Sequence, residues 1–374
     1  MVYLDNSATT KPCDAAVKAA VQMMTENFGN ASSLHGAGVQ AMKVLMEARR
    51  TVADALGCDS AEIYFTSGGT EANNMAVFGA AQAGRHKGKR IVTTAVEHES
   101  VLEPCSELEK AGFEVIRILP DRFGRITAGQ IAEAIDQNTV LVSVMHVNNE
   151  SGAVFPVETI RSAIKRAGAP ALLHMDCVQS FGKLPVRVKK PDADLVTVTA
   201  HKIHGPKGIG ALYIKKGVHI PPRTFGGEQE SKMRPGTEST PLIAAFAAAV
   251  KALPDHKKVQ KQVQALNEAA RRGMEDLGMV INSAPEASPY ILNAALEGIR
   301  SQTLIQFLSS RGVCVSSGSA CARGKRSHVL QAMGLADERI DSSIRISFSR
   351  DNTDEDIAAL CAALQEAKAQ LARR

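Results

Sequence analysis

The sequence predicts an α/β fold, a mainly parallel sheet of seven strands lying between helices with a smaller α+β domain after it, and three observations carry that prediction. Short apolar, β-branched runs recur along the first part of the chain, and helix-compatible segments separate most of the first five. From about Pro241 the texture changes to long Ala-, Lys- and Glu-rich helical sequence. Strands that alternate with helices form parallel sheets covered on both faces, because each crossover lays a helix against the sheet.

In chain order, residues 1–13 form an N-terminal segment ahead of a large domain placed at 14–250. Residues 37–56 carry Val39, Met42, Leu45, Met46, Val52 and Leu56 at helical spacing, and Gly57 closes that helix. The strand candidates are Ile63–Thr66, Ile91–Thr94, Val115–Ile118, Val140–Val144, Leu172–Met175, Leu195–Thr199 and Ala211–Ile214. The small domain is placed at 251–374, with the N-terminal segment packing near it. Pro285 and Pro289 mark loops there, and a last helix starts near Thr353, with Asp356 in a capping-box position and Leu360 and Leu364 on its apolar side.

A chain of 374 residues can bury a core for two domains. The net charge of +5 is scattered, and the basic spots Arg85–Arg90 and Arg323–Arg326 are short, so no nucleic-acid footprint is expected. The longest fully apolar stretch, Leu242–Val250, is too short to cross a bilayer, and the start Met-Val-Tyr-Leu-Asp-Asn lacks signal-peptide features. Seven cysteines, with no Cys-x-x-Cys and no zinc-type spacing, read as free thiols in a reducing, cytoplasmic compartment, and no metal site is expected.

Two predicted strands deliver chemistry to their ends. Leu195–Thr199 leads into Ala200-His201-Lys202, and Leu172–Met175 leads into Asp176. A lysine that can form a Schiff base and an aspartate that can pair with a pyridinium nitrogen are the minimal protein contribution to pyridoxal phosphate (PLP) chemistry. In open α/β sheets ligands bind beyond the carboxyl ends of the strands, where both residues fall.

Other motifs take meaning from that pair. Ser67-Gly-Gly-Thr-Glu-Ala-Asn-Asn74 follows a strand and precedes a helix, a setting for an anion at free backbone N–H groups; alone it reads as a capped turn. Glu97-His98-Glu99-Ser100 offers a histidine that could stack on a ring and move protons, or a plain helix-start histidine. His146-Val-Asn-Asn-Glu150 offers an amide for a phenolic oxygen, or a turn. Phe225–Thr237 is a glycine-rich loop that lines a site or interface, or merely links domains.

Ser316-Ser-Gly-Ser-Ala-Cys321-Ala-Arg-Gly-Lys-Arg326 describes an exposed thiol, and Arg323, Lys325 and Arg326 should favour its thiolate. Cys58, Cys177, Cys314 and Cys361 read as small core residues, with Cys13 and Cys105 undecided. Ser342-Ser-Ile-Arg345-Ile-Ser-Phe presents an arginine on a strand, suited to bidentate capture of a carboxylate or to a salt bridge.

Together these residues resemble the PLP-dependent cysteine desulfurases of the NifS/IscS type within the class V aminotransferases. The matching stretches run nearly end to end: Tyr3–Thr10, Gly29–His35, Thr66–Asn74, Glu97-His98, Met145–Gly152, Asp176–Gln179, His201–Gly210, Arg234–Thr237, Ser316–Cys321 and Ser342–Arg345. The resemblance implies PLP fold type I, PLP as cofactor and a homodimer. It implies Lys202 as the Schiff-base lysine, Asp176 as partner of the pyridine nitrogen, and His98 stacked on the ring as a proton carrier. Asn149 and Gln179 would lie near the phenolic oxygen, Asn149 also near substrate. Gly69, Thr70, Thr199 and His201 would hold the phosphate, with Thr237 supplied by the other subunit. Arg345 would bind the substrate carboxylate, and Cys321 would be the nucleophile.

The implied reaction takes sulfur from L-cysteine, gives L-alanine and leaves a persulfide on Cys321 for a protein acceptor in iron–sulfur cluster assembly or tRNA thiolation. The alternatives are a class V aminotransferase or selenocysteine lyase acting on another amino acid and, third, a non-catalytic PLP-binding sulfur-relay partner. Three features depart from the family pattern. Glu228 stands where many relatives have glycine, the segment from Cys321 to Val329 is short and basic, and the chain stops at Arg374 without the extension some members use to dock a scaffold. The last two favour, as an expectation, a tRNA-thiolation enzyme or another sulfur carrier as acceptor.

Overall fold

The computed structural model describes residues 1–318 and 326–371. Strand β1 (Val2–Tyr3) is followed by helices α1 (Asp14–Thr25) and α2 (Gly36–Leu56). His35 caps α2 by accepting from the Gly38 amide, and Gly57, at φ 74°, closes it in the left-handed region where a side chain is disfavoured. Strands and helices then alternate: β2 (Ile63–Thr66), α3 (Gly69–Gly84), β3 (Arg90–Thr94), α4 (Glu99–Lys110), β4 (Glu114–Ile118), α5 (Ala128–Ala134), β5 (Thr139–Met145), α6 (Ile160–Arg166), β6 (Leu172–Asp176), β7 (Leu195–Thr199) and β8 (Gly210–Ile214).

These strands form one seven-stranded sheet in the order β2-β8-β7-β6-β5-β3-β4. Only β8 runs antiparallel to its neighbours, β2 and β7, so the other strands share one direction. Alternate residues feed opposite layers. Val142, Val144, Leu173, Met175, Val196 and Val198 pack into one core with residues of α1, α2, α6 and α7 (Thr240–Lys251). Leu141, Leu195, Leu212 and Ile214 pack on the other side with Ala72, Met75 and Ala76 of α3 and Val101 and Cys105 of α4. Burial on both faces explains why these strands read as near-continuous apolar runs.

Asp255 caps the next helix, α8 (His256–Asp276), by accepting from the Lys257 and Lys258 amides. There follow β9 (Val280–Ile281), β10 (Ile291–Ala295), α9 (Ser301–Ser310), β11 (Val313–Cys314), α10 (His328–Ala332), α11 (Asp337–Asp341), β12 (Ser343–Ser347) and α12 (Asp354–Gln370). Strands β12, β10 and β9 make an antiparallel sheet, and β1 pairs with β11. Thr353 and Asp356 form the capping box read from the sequence. A separate core gathers Leu266 and Met274 of α8, Leu292, Leu304, Leu308, Ile344 and Ile346, Leu360 and Leu364 of α12, and Leu4 from the N-terminal segment. Among the described residues no helix is long and apolar enough to cross a membrane.

Candidate active site

The co-directed strands end on one side of the sheet, and the segments that leave them converge there. Asp176 is the last residue of β6, and Lys202 ends a single 3-10 turn, Ala200–Lys202, directly after β7. His98 is the N-cap of α4 beyond β3, Asn149 lies in the turn after β5, and Gly69 and Thr70 open α3 after β2. These residues line one cleft of about 680 Å³ together with Gln179, Thr199, His201 and Arg345. Every expected site residue except two therefore reaches the same space. Thr237 is exposed and does not line the cleft, and Cys321 lies outside the described residues.

The lysine amine is buried and faces the N-terminal segment, where Nζ donates to the carbonyl oxygens of Ser7 and, at 2.7 Å, of Ala8. That segment is tied back to the same turn, since the Thr10 amide donates to the His201 carbonyl at 2.8 Å. Burial, with the Lys183 and Arg345 cations, pulls Lys202 down to about 7 against Asp5 and Asp176. A lysine so placed carries a nucleophilic free base near neutrality.

Asp176 is oriented from two directions. Its Oδ1 accepts the Val178 amide at 2.9 Å, and its Oδ2 accepts Asn73 Nδ2 at 2.7 Å. Asn73 also donates to Ser100 Oγ at 2.8 Å, and that hydroxyl lies 2.8 Å from His98 Nδ1. The Ser100 amide donates to the same Nδ1 at 3.1 Å, which places the proton of the neutral ring on Nε2. Burial lowers the pKa of His98, partly offset by Asp176.

The start of α3 lies against the turn after Asp176: a Cβ at Gly69 would fall 2.9 Å from Val178 Cγ2. The first amides of this 16-residue helix open on the cleft beside Thr199 and a His201 ring that burial and the Lys202 cation hold neutral, its pKa lowered to about 3. This is an anion-binding arrangement of helix N-terminus, hydroxyls and imidazole. Arg345, on β12, is buried; Nη1 donates to the Asn149 carbonyl at 2.8 Å and the Gly318 carbonyl at 3.1 Å, and Nη2 pairs with Asp5 at 2.9 Å. Arg345 Nε and Asn149 Oδ1 are buried without partners among the described residues, which marks both side chains as incompletely satisfied.

Several participants escaped sequence reasoning. Asn73 stands within the Ser67–Asn74 motif but reads there as one more small polar residue. Ser7 and Ala8 act through backbone carbonyls, which no side-chain pattern reports. Arg326 pairs with Asp337 at 2.5 Å and Asp341 at 2.7 Å, so its charge is already matched rather than free to favour a thiolate. Glu228 is exposed beside Lys232, whereas its neighbour Glu230 is the buried anchor of the glycine-rich loop, paired with Arg49 at 2.6 Å and accepting the Phe65 amide at 2.9 Å. Cys105 and Cys177 are buried, while Cys13, Cys58, Cys314 and Cys361 are half-buried. Burial pushes the Cys58 and Cys105 thiols up to about 12, which makes them poor nucleophiles.

The family described as Aminotransferase class-V matches residues 2–360. The chain is 41% identical over 363 residues to a protein of Bacillus subtilis strain 168 named "Putative cysteine desulfurase IscS 1", covering 95% of each chain. It is 40% identical over 361 residues to the "Cysteine desulfurase IscS" of Methanosarcina thermophila, covering 95% of this chain and 89% of that one. Among solved structures, one titled "NIFS-LIKE PROTEIN" superposes with a TM-score of 0.93 at 35% identity, covering 99% of this chain and 100% of the other. Another, "SspA in complex with cysteine", gives 0.82 at 32% identity over 94% of this chain and 100% of that one.

Proposed function

The chain belongs to the class-V aminotransferase family, and on that premise we propose that it is a PLP-dependent cysteine desulfurase that carries the sulfur of L-cysteine on Cys321. The observation that carries the reading is the convergence of Lys202, Asp176 and His98 on a cleft opened by a helix N-terminus. The residues present fit PLP. Thr70, Thr199, His201 and the first amides of α3 would hold its phosphate, Asp176 its ring nitrogen, and Asn149 and Gln179 its phenolic oxygen. Lys202 would carry the cofactor, and when bound PLP supplies an electron sink for bonds broken at the substrate's α-carbon.

Each residue has a task that follows from its surroundings. Asp176, fixed by Asn73 and the Val178 amide, would hold a proton on the ring nitrogen of bound PLP. Lys202, its pKa lowered to about 7 so that free base is available near neutrality, takes and returns the α-proton of the substrate. His98, with its free proton on Nε2, moves protons on the cleft side of its ring. Arg345 grips the substrate carboxylate. The Cys321 thiolate then attacks the substrate sulfur. An S–S bond forms, the Cβ–S bond breaks with its electron pair on carbon, and protonation there gives alanine.

We also read the division into a large domain at 14–250 and a small one at 251–374 as functional, since Arg345 comes from the latter and Lys202 from the former. Helix α1 leaves Val17, Val21 and Met24 exposed at 49%, 52% and 59%, at helical spacing along one side, and Phe28, three residues past its end, is 74% exposed. This stripe supports a homodimer, in which Thr237 would complete the other copy's phosphate site. The sulfur acceptor is proposed only by class, a protein of iron–sulfur cluster assembly or tRNA thiolation. The test is to supply L-cysteine and a thiol reductant to PLP-loaded protein: equal amounts of alanine and sulfide support the reading. Transamination of a keto acid with no desulfuration would replace it with the aminotransferase alternative.

A further inference from the structure

Lys183 is a second lysine buried beside Lys202. It lies in the turns that follow β6 and is 6% exposed. Its Nζ donates to Gln179 Oε1 at 3.3 Å, and the other end of that amide, Nε2, donates to the Ser7 carbonyl at 3.0 Å. The same Ser7 carbonyl accepts from Lys202 Nζ. An ammonium only donates and a carbonyl only accepts, so the two contacts fix which way the Gln179 amide points. One side chain and one backbone oxygen thus join the two lysines, and both also line a small cavity of about 30 Å³.

Among the described residues Lys183 Nζ has no carboxylate partner, only the Gln179 oxygen and the Tyr290 ring, whose centroid is 5.7 Å away. The charges around it are mostly cations. Lys202 and Arg345 act on it from the cleft side, Arg350 lines the cavity with His256, and Arg345 is itself paired with Asp5. His98, His201 and His204 stand near the two lysines, and burial lowers the pKa of each. Asp5 and Asp176 favour charge on Lys202, not on Lys183. Burial, then Arg345, pulls Lys183 down to about 7. Two ammonium groups so linked oppose each other, and the one that gives up its proton relieves the other. An apolar side chain would fill the same space without the cost of burying an unpaired cation, so packing does not account for a lysine here. We propose that Lys183 is a positioning residue for cofactor attachment: linked through Gln179 and the Ser7 carbonyl, its ammonium opposes a second positive charge at Lys202 and keeps that amine ready to condense with an aldehyde. This rests on the reading of Lys202 as the residue that carries PLP. In that step the uncharged Lys202 nitrogen adds to the aldehyde carbon, a C=N bond forms and water leaves; Lys183 makes no bond to the cofactor.

The test follows the rate of PLP uptake by the apo-protein across pH, by absorbance and without turnover, in Lys183→Met, Lys183→Gln and Lys183→Arg. Removing the like charge lets Lys202 keep its proton to higher pH. The midpoint of uptake in the Met and Gln variants should therefore rise by about one pH unit or more, a tenfold or greater loss of rate near neutrality. Well above that midpoint their rates should match the parent's. Gln keeps a hydrogen-bonding head beside Gln179 and loses the charge. Arg keeps the charge at every pH and should hold the midpoint at or below the parent's. An unchanged midpoint in Lys183→Met would overturn the proposal. So would a Gln variant that behaves like the parent while Met shifts, which would assign the effect to the polar contact, or an Arg variant that shifts upward with Met, which would assign it to packing. Loss of folded structure in both Met and Gln, read by circular dichroism, would show that Lys183 serves stability and would overturn it as well. Borohydride reduction and peptide mapping of the parent that place PLP on a lysine other than Lys202 would instead sink the reading on which the proposal stands.

Discussion

Asn73 Nδ2 donates to Asp176 Oδ2 at 2.7 Å, and so a residue one turn into α3 orients a carboxylate more than a hundred positions further along the chain. The same amide nitrogen reaches Ser100 Oγ, which contacts His98 Nδ1. The proposed ring-nitrogen partner and the proposed proton carrier therefore belong to one network, and its centre is a side chain with no chemistry of its own.

Removing that centre should loosen the cofactor rather than abolish the fold. A hydrogen bond to a charged group is worth about 1.5–3 kcal/mol, so Asn73→Ala should raise the PLP dissociation constant about 10- to 100-fold. Asn73→Asp should be worse, because it places a second carboxylate beside Asp176. Titration of the apo-protein followed by absorbance checks both.

Arg345 holds its guanidinium through two carbonyls and Asp5, with Nε left without a partner among the described residues. Arg345→Lys keeps the charge but loses the planar fork. It should raise KM for L-cysteine about tenfold or more while cofactor absorbance is unchanged, since bidentate carboxylate geometry is lost. Steady-state kinetics with spectra on the same samples separate the two effects.

Lys202 gives a pH signature with a defined sign. Burial, then Lys183, holds it at about 7, below the ordinary value of 10.5. The unfolded chain therefore binds more protons between those limits, and the apo-protein should gain stability as pH rises through that window. Lys202→Met should remove this part of the slope. PLP uptake by the apo-protein should rise with pH to about 7 and then level off, whereas an ordinary lysine would keep gaining about tenfold per pH unit beyond that point.

His174 predicts the acid limb. It is fully buried in β6, 2.8 Å from Ser143 Oγ and 3.1 Å from Thr197 Oγ1, and burial lowers it to about 3 from 6.5. Protonation favours the unfolded chain between those values, so the stability of this neutral histidine is lost as pH falls below 6.5. His174→Gln should lower stability at neutral pH yet reduce its further loss on acidification, as urea midpoints at several pH values would record.

The sheet was legible because its strands are buried on both faces. All seven runs read from the sequence are strands of the one sheet, from Ile63–Thr66 to Ala211–Ile214 within β8, with ends differing by a residue or less. Their spatial order and the reversal of β8 were not, since apolar runs say nothing about which neighbours they pair with. In the second sheet, Arg345 and its flanking residues were readable as a strand, but Ile291–Ala295 ends in Asn-Ala-Ala and lacks the β-branched signature. The site divides the same way. Lys202, Asp176 and His98 announce themselves by residue type at strand ends. Asn73 and Ser7 matter through partners distant in sequence, and no local pattern marks them.

The proposed function requires that sulfur leave L-cysteine and arrive on Cys321. Its most direct test is one turnover of cysteine on PLP-loaded protein, followed by mass spectrometry of the intact chain and its peptides, beside Cys321→Ser. The expected result is one added sulfur on the Cys321 peptide with one alanine released, and neither persulfide nor sulfur transfer in the variant, whose PLP spectrum stays intact. Alanine and transferable sulfur at the parent's rate from Cys321→Ser would contradict it.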